Sequence, residues 1–367
     1  MTRINVIGSI FGITGYDIHT RKLSNALHEL GMDVSIHCPK IPQWERFVND
    51  AELNMLTKDY DANGITLMIS QPQSWDLALC RKPKRFWGFC VWEGDKIPEY
   101  WLKYLLNNKI EYILVPSQHT KDAIIKATDS TTELEILHDK IKIIPHGYDN
   151  VKLYPDKKQD NDNFVFIANK GWNRGLKDRG GMQWLIKAYC EEFTNKDKVE
   201  LRLKINSSYN DANWNLKQQI KELNVDNRTA PILSTTENLD EDALREFYNE
   251  GDVFISTSMA EAFNLPCIEA MGCGLPVITT SFGGQSDYVD NENGWIINEG
   301  KFEYWSDEII YEETKWFVPD INAIRARMRD AYDNWKTPIF DKKKEKALKM
   351  ASKYTWKESA KKLIKLI

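Results

Sequence analysis

Two glutamates eight residues apart, Glu261 and Glu269, stand in the stretch Glu261-Ala-Phe-Asn-Leu-Pro-Cys-Ile-Glu269-Ala-Met-Gly-Cys-Gly-Leu-Pro276. Ionised carboxylates accept two hydrogen bonds each, so a pair set around a turn can hold sugar hydroxyls. The apolar runs on either side, Val253-Phe-Ile-Ser256 and Val277-Ile-Thr-Thr280, have the length and β-branched character of buried strands. Between them Asn264 is a good helix N-cap, Pro266 is tolerated in a first turn, and Gly274 with Pro276 makes a stop signal. The order is strand, loop, short helix, strand. It puts Glu261 in the loop at the carboxyl end of a parallel strand and Glu269 near the start of the helix. Ligands of open α/β sheets bind at that edge, where a helix N-terminus offers N–H groups and a positive dipole to phosphate. The stretch reads as a phosphate site flanked by polyols.

Two glycine-rich loops have the same strand-to-helix setting. The first, Gly8-Ser-Ile-Phe-Gly12-Ile-Thr-Gly15, follows the strand Ile4 to Ile7 and opens a helix that runs through Leu30 to Gly31. Its spacing is Gly-x3-Gly-x2-Gly, not the dinucleotide fingerprint. The next strand, Val34 to Cys38, also runs into Pro39 and Lys40 rather than an acidic ribose ligand. Both features count against a nicotinamide enzyme. The second loop, Asn169-Lys-Gly171-Trp-Asn-Arg174-Gly-Leu-Lys177-Asp-Arg179-Gly-Gly181, is basic and would cradle a diphosphate. Glu93, in Trp92-Glu93-Gly-Asp95, is a further carboxylate at the end of a buried strand, followed by an amphipathic helix from 99 to 107.

The central stretch, with Glu-x7-Glu, Phe263, Leu265-Pro266 and the run Glu-Ala-Met-x-Cys-Gly-x-Pro-Val-Ile, resembles the donor-site signature of family 4 glycosyltransferases of the GT-B fold. Val115-Pro-Ser117, Pro145-His-Gly-Tyr-Asp149, Gly283-Gly-Gln-Ser-Asp287 and Asn293-Gly-Trp295 resemble other segments of that family. The resemblance implies an α/β protein, two Rossmann-like domains facing across a cleft, and transfer of a sugar from a nucleoside diphosphate to an acceptor with retention and without a metal. It also implies roles. Glu261 would hold donor-sugar hydroxyls and Glu269 the ribose, while Gly12 and Gly15 would face the diphosphate. Phe263, Asn264 and Leu265 would offer main-chain N–H groups to the leaving phosphate, and Lys204 would reach the donor.

Departures from the pattern are visible. Counted back from the helix, the family's lysine slot falls on Gly180, so Arg179 is the expected phosphate cation, with Arg174 or Lys177 as alternatives. Glu93 stands where many members have histidine, and reads as a sugar or acceptor contact or as a structural loop carboxylate. Ala262 and Asn264 stand where many members have glycine, which narrows the sugar pocket. His146, beside the glycine turn, reads as structural.

Length and composition agree with this. At 367 residues the chain suits two domains: an N-terminal acceptor domain over 1–155, a donor domain over 156–340, and a C-terminal helix over 341–367 that could pack back on the first. A net charge of −5 gives no reason to expect nucleic acid. No apolar run approaches the ~18 residues of a membrane span. The lysines of the last helix could graze an anionic membrane, although such spacing more often marks an exposed face. The first residues run straight into a strand, and six scattered cysteines, among them Cys38, Cys80, Cys90 and Cys190, read as reduced core thiols. A cytoplasmic protein is expected. Asp160-Asn-Asp162 matches a metal motif of the other main glycosyltransferase fold, but in a polar linker it reads as a solvated charge run. The expected partners are a nucleotide sugar as co-substrate and an acceptor glycan, lipid or protein, with no cofactor. A non-catalytic nucleotide-sugar or carbohydrate-binding protein, or an epimerase on the same fold, is the alternative.

Overall fold

The computed structural model describes residues 2–39, 48–156, 162–172, 175–206, 215–225, 229–304, 309–312 and 314–367. The chain forms two units: Met1–Gly147 with Glu308–Thr314 and Tyr354–Ile367, and Tyr148–Asp307 with Lys315–Lys353.

Unit 1 is built on strands β1 (Arg3–Ile7), β2 (Asp33–His37), β3 (Ile65–Ile69), β4 (Arg85–Phe89), β5 (Tyr112–Val115) and β6 (Ile141–Ile143). They pair in the order β2-β1-β3-β4-β5-β6, all parallel. Parallel pairing demands a crossover after each strand, which is why Val/Ile runs alternate with helical segments along the sequence. β3 is buried at every position, as a strand covered on both faces must be. Strand order reverses between β1 and β3, so the glycine loop after β1 sits at the topological switch point. The final helix, Trp356–Ile364, packs on the first, Gly15–Glu29, through Trp356, Ser359, Ala360 and Leu363. Its lysines at 357, 361, 362 and 365 remain exposed.

Unit 2 repeats the plan with β7 (Phe164–Lys170), β8 (Val199–Ile205), β9 (Ile232–Thr235), β10 (Val253–Ser256), β11 (Val277–Thr280) and β12 (Gly294–Ile297). The order is β12-β11-β10-β7-β8-β9, parallel throughout. The chain steps outward from β7 to β9 and then returns to the other side of β7. The switch point therefore lies between β7 and β10, where Lys170 and the Glu261 loop emerge. Helices Met182–Glu192 and Ile321–Asp333 bury Leu185, Tyr189, Ile324 and Met328 with Phe164 and Phe166 of β7 in one core. β13 (Gly300–Glu303) and β14 (Trp316–Pro319) form a separate antiparallel pair.

Several expectations are corrected locally. The helix expected over 99–107 is a 3-10 turn, Glu99–Trp101, running into the short helix Leu102–Leu105. Cys80 is exposed rather than in the core. Asp160 of the Asp-x-Asp match lies outside the described residues. Among the described residues no helix is long and apolar enough to cross a membrane.

Candidate functional site

The last two residues of β7, Asn169 and Lys170, point to opposite faces of the sheet, as strand geometry requires; Lys170 joins Glu261 directly, and Asn169 reaches Glu269 through the Tyr248 hydroxyl. Lys170, 9% exposed, places Nζ 2.8 Å from Glu261 Oε1 and 2.8 Å from Asn264 Oδ1. Arg179 Nη1 lies 3.7 Å from Glu261 Oε2 and donates to Ala260 O at 2.6 Å. Burial opposes the Glu261 charge, but Lys170 and Arg179 outweigh it and hold the carboxyl below the ordinary range. Glu261 is thus an anion clamped between two cations.

Asn264 stands at the N-cap position that its residue type suggested, but its side chain does not cap the helix. It adopts a left-handed conformation, φ 69° and ψ 68°, and makes no capping hydrogen bond to the helix Leu265–Gly272. Its amide instead braces the floor of the site, with Nδ2 donating to Ser256 Oγ at 3.0 Å while Oδ1 accepts from Lys170. Asparagine is among the few non-glycine residues that visit this region readily. Phe263 is buried against Tyr288, whose hydroxyl donates to Phe263 O at 2.6 Å and Asn264 O at 3.0 Å. These bonds fix the carbonyls of the loop that leads into Leu265.

Around the second carboxylate, Tyr248 Oη donates to Glu269 Oε2 at 2.8 Å and accepts from Asn169 Nδ2 at 3.0 Å. Lys204, paired with Asn169 in the β7–β8 register, is buried, and burial lowers the pKa of its amine while the Glu269 charge partly restores it. Two polar clusters therefore stand at the switch point, one per glutamate. Sequence reasoning had picked Glu261, Glu269, Arg179, Asn264 and Lys204 out as residues. It left Lys170 in an undifferentiated run of cations and did not name Tyr248 or Asn169 as site residues. Lys177 is exposed, and Arg174 lies outside the described residues.

In unit 1 the glycine loop turns its donors inward. Gly12 N donates to Asp17 Oδ1 at 3.0 Å and Thr14 N to Asp17 Oδ2 at 3.1 Å, and the hydroxyls of Ser9 and Thr14 bond the same carboxylate. Arg21 Nη1 donates to Gly12 O at 2.7 Å and to Ile10 O. Gly12 is small because a Cβ there would stand 2.5 Å from Asp17 Oδ2. The Gly12 N–H serves Asp17, while Gly15 opens the helix at the exposed end of the loop. Burial disfavours the Asp17 charge, but these hydrogen bonds prevail and lower its pKa. Glu93 accepts from Tyr311 Oη at 2.6 Å. The phenol of Tyr16 is pushed upward, first by burial and then by Cys90 and Glu93. His146 stacks in a buried group with His19, Phe89 and Trp356 and is driven by burial down to about 3, so it is neutral at pH 7. Among the described residues no group of three or more His, Cys, Asp or Glu could hold a metal ion.

Residues 164–311, which contain both glutamate clusters, match the family described as glycosyl transferases group 1. That match covers less than half of the chain, and over it the chain resembles group 1 glycosyltransferases. A probable sucrose-phosphate synthase of Thermosipho melanesiensis is 23% identical over 266 residues, covering 70% of this chain and 54% of that protein. The chain thus spans about half the length of that curated relative. The solved sucrose-phosphate synthase from Thermosynechococcus elongatus superposes with TM-score 0.70 at 16% identity, over 100% of this chain and 98% of that one. The Anabaena protein HepE, solved in complex with UDP and glucose, gives 0.64 at 16% identity over 100% and 99% of the two chains. At such identities the likeness is one of fold, and that fold is GT-B.

Proposed function

We propose that this glycosyltransferase moves a sugar from a nucleoside diphosphate to an acceptor hydroxyl, with retention and without a metal. The observation that carries the reading is the Lys170–Glu261–Arg179 cluster at the switch point of unit 2. Departure of a nucleoside diphosphate builds negative charge on the leaving oxygen. Fixed cations and the first turn of the helix Leu265–Gly272 are suited to receive it. Lys170 and Arg179 supply that charge, and Glu261 keeps both in place and offers acceptor oxygens to donor-sugar hydroxyls. Glu269, held by Tyr248, is assigned to the ribose, and Lys204 beside it to the phosphate side of the nucleotide. Glu93 is assigned to a sugar hydroxyl in unit 1. HepE in complex with UDP and glucose supports a uridine nucleotide as the first donor class to try. The test is release of nucleoside diphosphate from a panel of UDP-, GDP- and ADP-sugars with mixed acceptors, in the presence of EDTA. A binding protein without activity would bind the nucleotide and release nothing.

A further inference from the structure

Glu93 is held from two directions within unit 1. Its main chain is fastened to the helix Gln118–Ile125. Thr120 Oγ1 donates to Trp92 O at 2.9 Å, His119 Nε2 lies 2.8 Å from Glu93 O, and Ile97 N donates to Ala123 O at 3.1 Å. Trp92 Nε1 closes the loop on Lys96 O at 2.8 Å. Its carboxylate is reached from much further along the chain, by the Tyr311 hydroxyl at 2.6 Å, 218 residues away.

Three more features show that residues 92–96 and the segment bearing Tyr311 are built for one another. The Tyr311 ring lies 5.2 Å from that of Trp92, and Thr314 Oγ1 donates to Lys96 O. Position 94 must be glycine, since a Cβ there would stand 2.5 Å from Thr314 Cγ2. The ring contact and the Thr314 bond already anchor the segment. Neither needs a phenol aimed at the carboxylate. A hydroxyl donating to one carboxylate oxygen fixes the side-chain torsions and so the direction in which the group accepts further hydrogen bonds.

We propose that Tyr311 is a positioning residue that orients the Glu93 carboxylate toward a sugar hydroxyl during transfer. This rests on the glycosyl-transfer reading above and extends it to a residue that neither the donor motif nor its spacing indicates.

The experiment compares wild type, Tyr311→Phe, Glu93→Gln and the double variant. Turnover is measured with the best donor among UDP-glucose, UDP-N-acetylglucosamine and GDP-mannose, and binding of the matching nucleoside diphosphate by calorimetry. Phenylalanine keeps the ring on Trp92 and removes only the hydroxyl. The expected result is a kcat lowered roughly tenfold or more in Tyr311→Phe, the loss of one hydrogen bond to a charged group, with nucleotide affinity unchanged. Adding Tyr311→Phe to Glu93→Gln is expected to cost nothing more, because the hydroxyl acts through that carboxylate. Wild-type kcat in Tyr311→Phe, or an equal further loss in the double variant, would overturn the proposal. A wild type that turns over no donor would instead sink the transfer reading on which it stands.

Discussion

The Lys170 ammonium stands 2.8 Å from Glu261 Oε1, with side chains only 8% and 15% exposed. The pair joins the end of β7 to the loop after β10 across the point where strand order reverses. Breaking a buried ion pair by removing one partner leaves the other charge without compensation and costs about 3–5 kcal/mol. Lys170→Ala is therefore expected to lower the unfolding midpoint and to weaken binding of a nucleoside diphosphate by roughly tenfold or more. Arg179→Ala, at a side chain 36% exposed, is expected to lose diphosphate affinity with little change in stability. Calorimetry and thermal unfolding on both variants check this. Equal stability loss in the two would mean that Lys170 is not the inner cation.

Glu269 receives a hydrogen bond from Tyr248 at 2.8 Å. Glu269→Gln is expected to weaken nucleoside and nucleoside diphosphate binding alike, by roughly 10- to 150-fold for one charged hydrogen bond. Glu261→Gln is expected to lower turnover more than nucleotide binding. Titration with uridine and UDP separates them, and wild-type affinities in Glu269→Gln would remove it from the ribose.

The motif exposed both glutamates because they lie on one short strand–loop–helix unit, and local spacing sets their surroundings. Their partners come from elsewhere. Lys170 reaches Glu261 through strand order, Tyr248 reaches Glu269 from the helix Glu241–Asn249, and Tyr311 reaches Glu93 across most of the chain. Sheet order and tertiary docking are non-local, so residue spacing could not disclose them. The Asn264 side chain departs from the expected cap for a different reason. An asparagine before an apolar helix fits a cap and a left-handed turn equally, and the buried Lys170 decided between them. The two α/β units were legible from the family resemblance and the chain length, and the alternation of Val/Ile runs with helices agrees with them.

The Glu261 carboxyl is held below its ordinary value of 4.5 in the folded chain. A folded pKa below the unfolded one stabilises the protein while the group is ionised in both states. That contribution is complete above the ordinary glutamate range and is lost as pH falls through the folded value. The stability gap between wild type and Glu261→Gln should be largest near pH 7 and shrink below about pH 4.5. Thermal unfolding across that range checks it, and a gap that widens in acid would contradict the clamp.

Asp17 accepts from Gly12 N, Thr14 N and the hydroxyls of Ser9 and Thr14 beneath the unit 1 loop. Asp17→Ala strands these donors at a cost of about 1–3 kcal/mol for each one left buried and unsatisfied. A lower denaturant midpoint with faster proteolysis near residues 8–15 is expected. Unchanged cleavage there would show that the loop is not held from below.

The central claim is that cations of the chain itself receive a departing nucleoside diphosphate. The most direct measurement is nucleoside diphosphate released per enzyme, with wild type and Lys170→Ala side by side, in EDTA and again with Mg²⁺ or Mn²⁺. The account predicts turnover by the wild type that EDTA leaves intact, and a loss in Lys170→Ala of roughly 10²- to 10³-fold, the scale seen when one preorganised charge-stabilising group is removed. Turnover that vanishes in EDTA and returns with the metal, or that survives in Lys170→Ala, would contradict it.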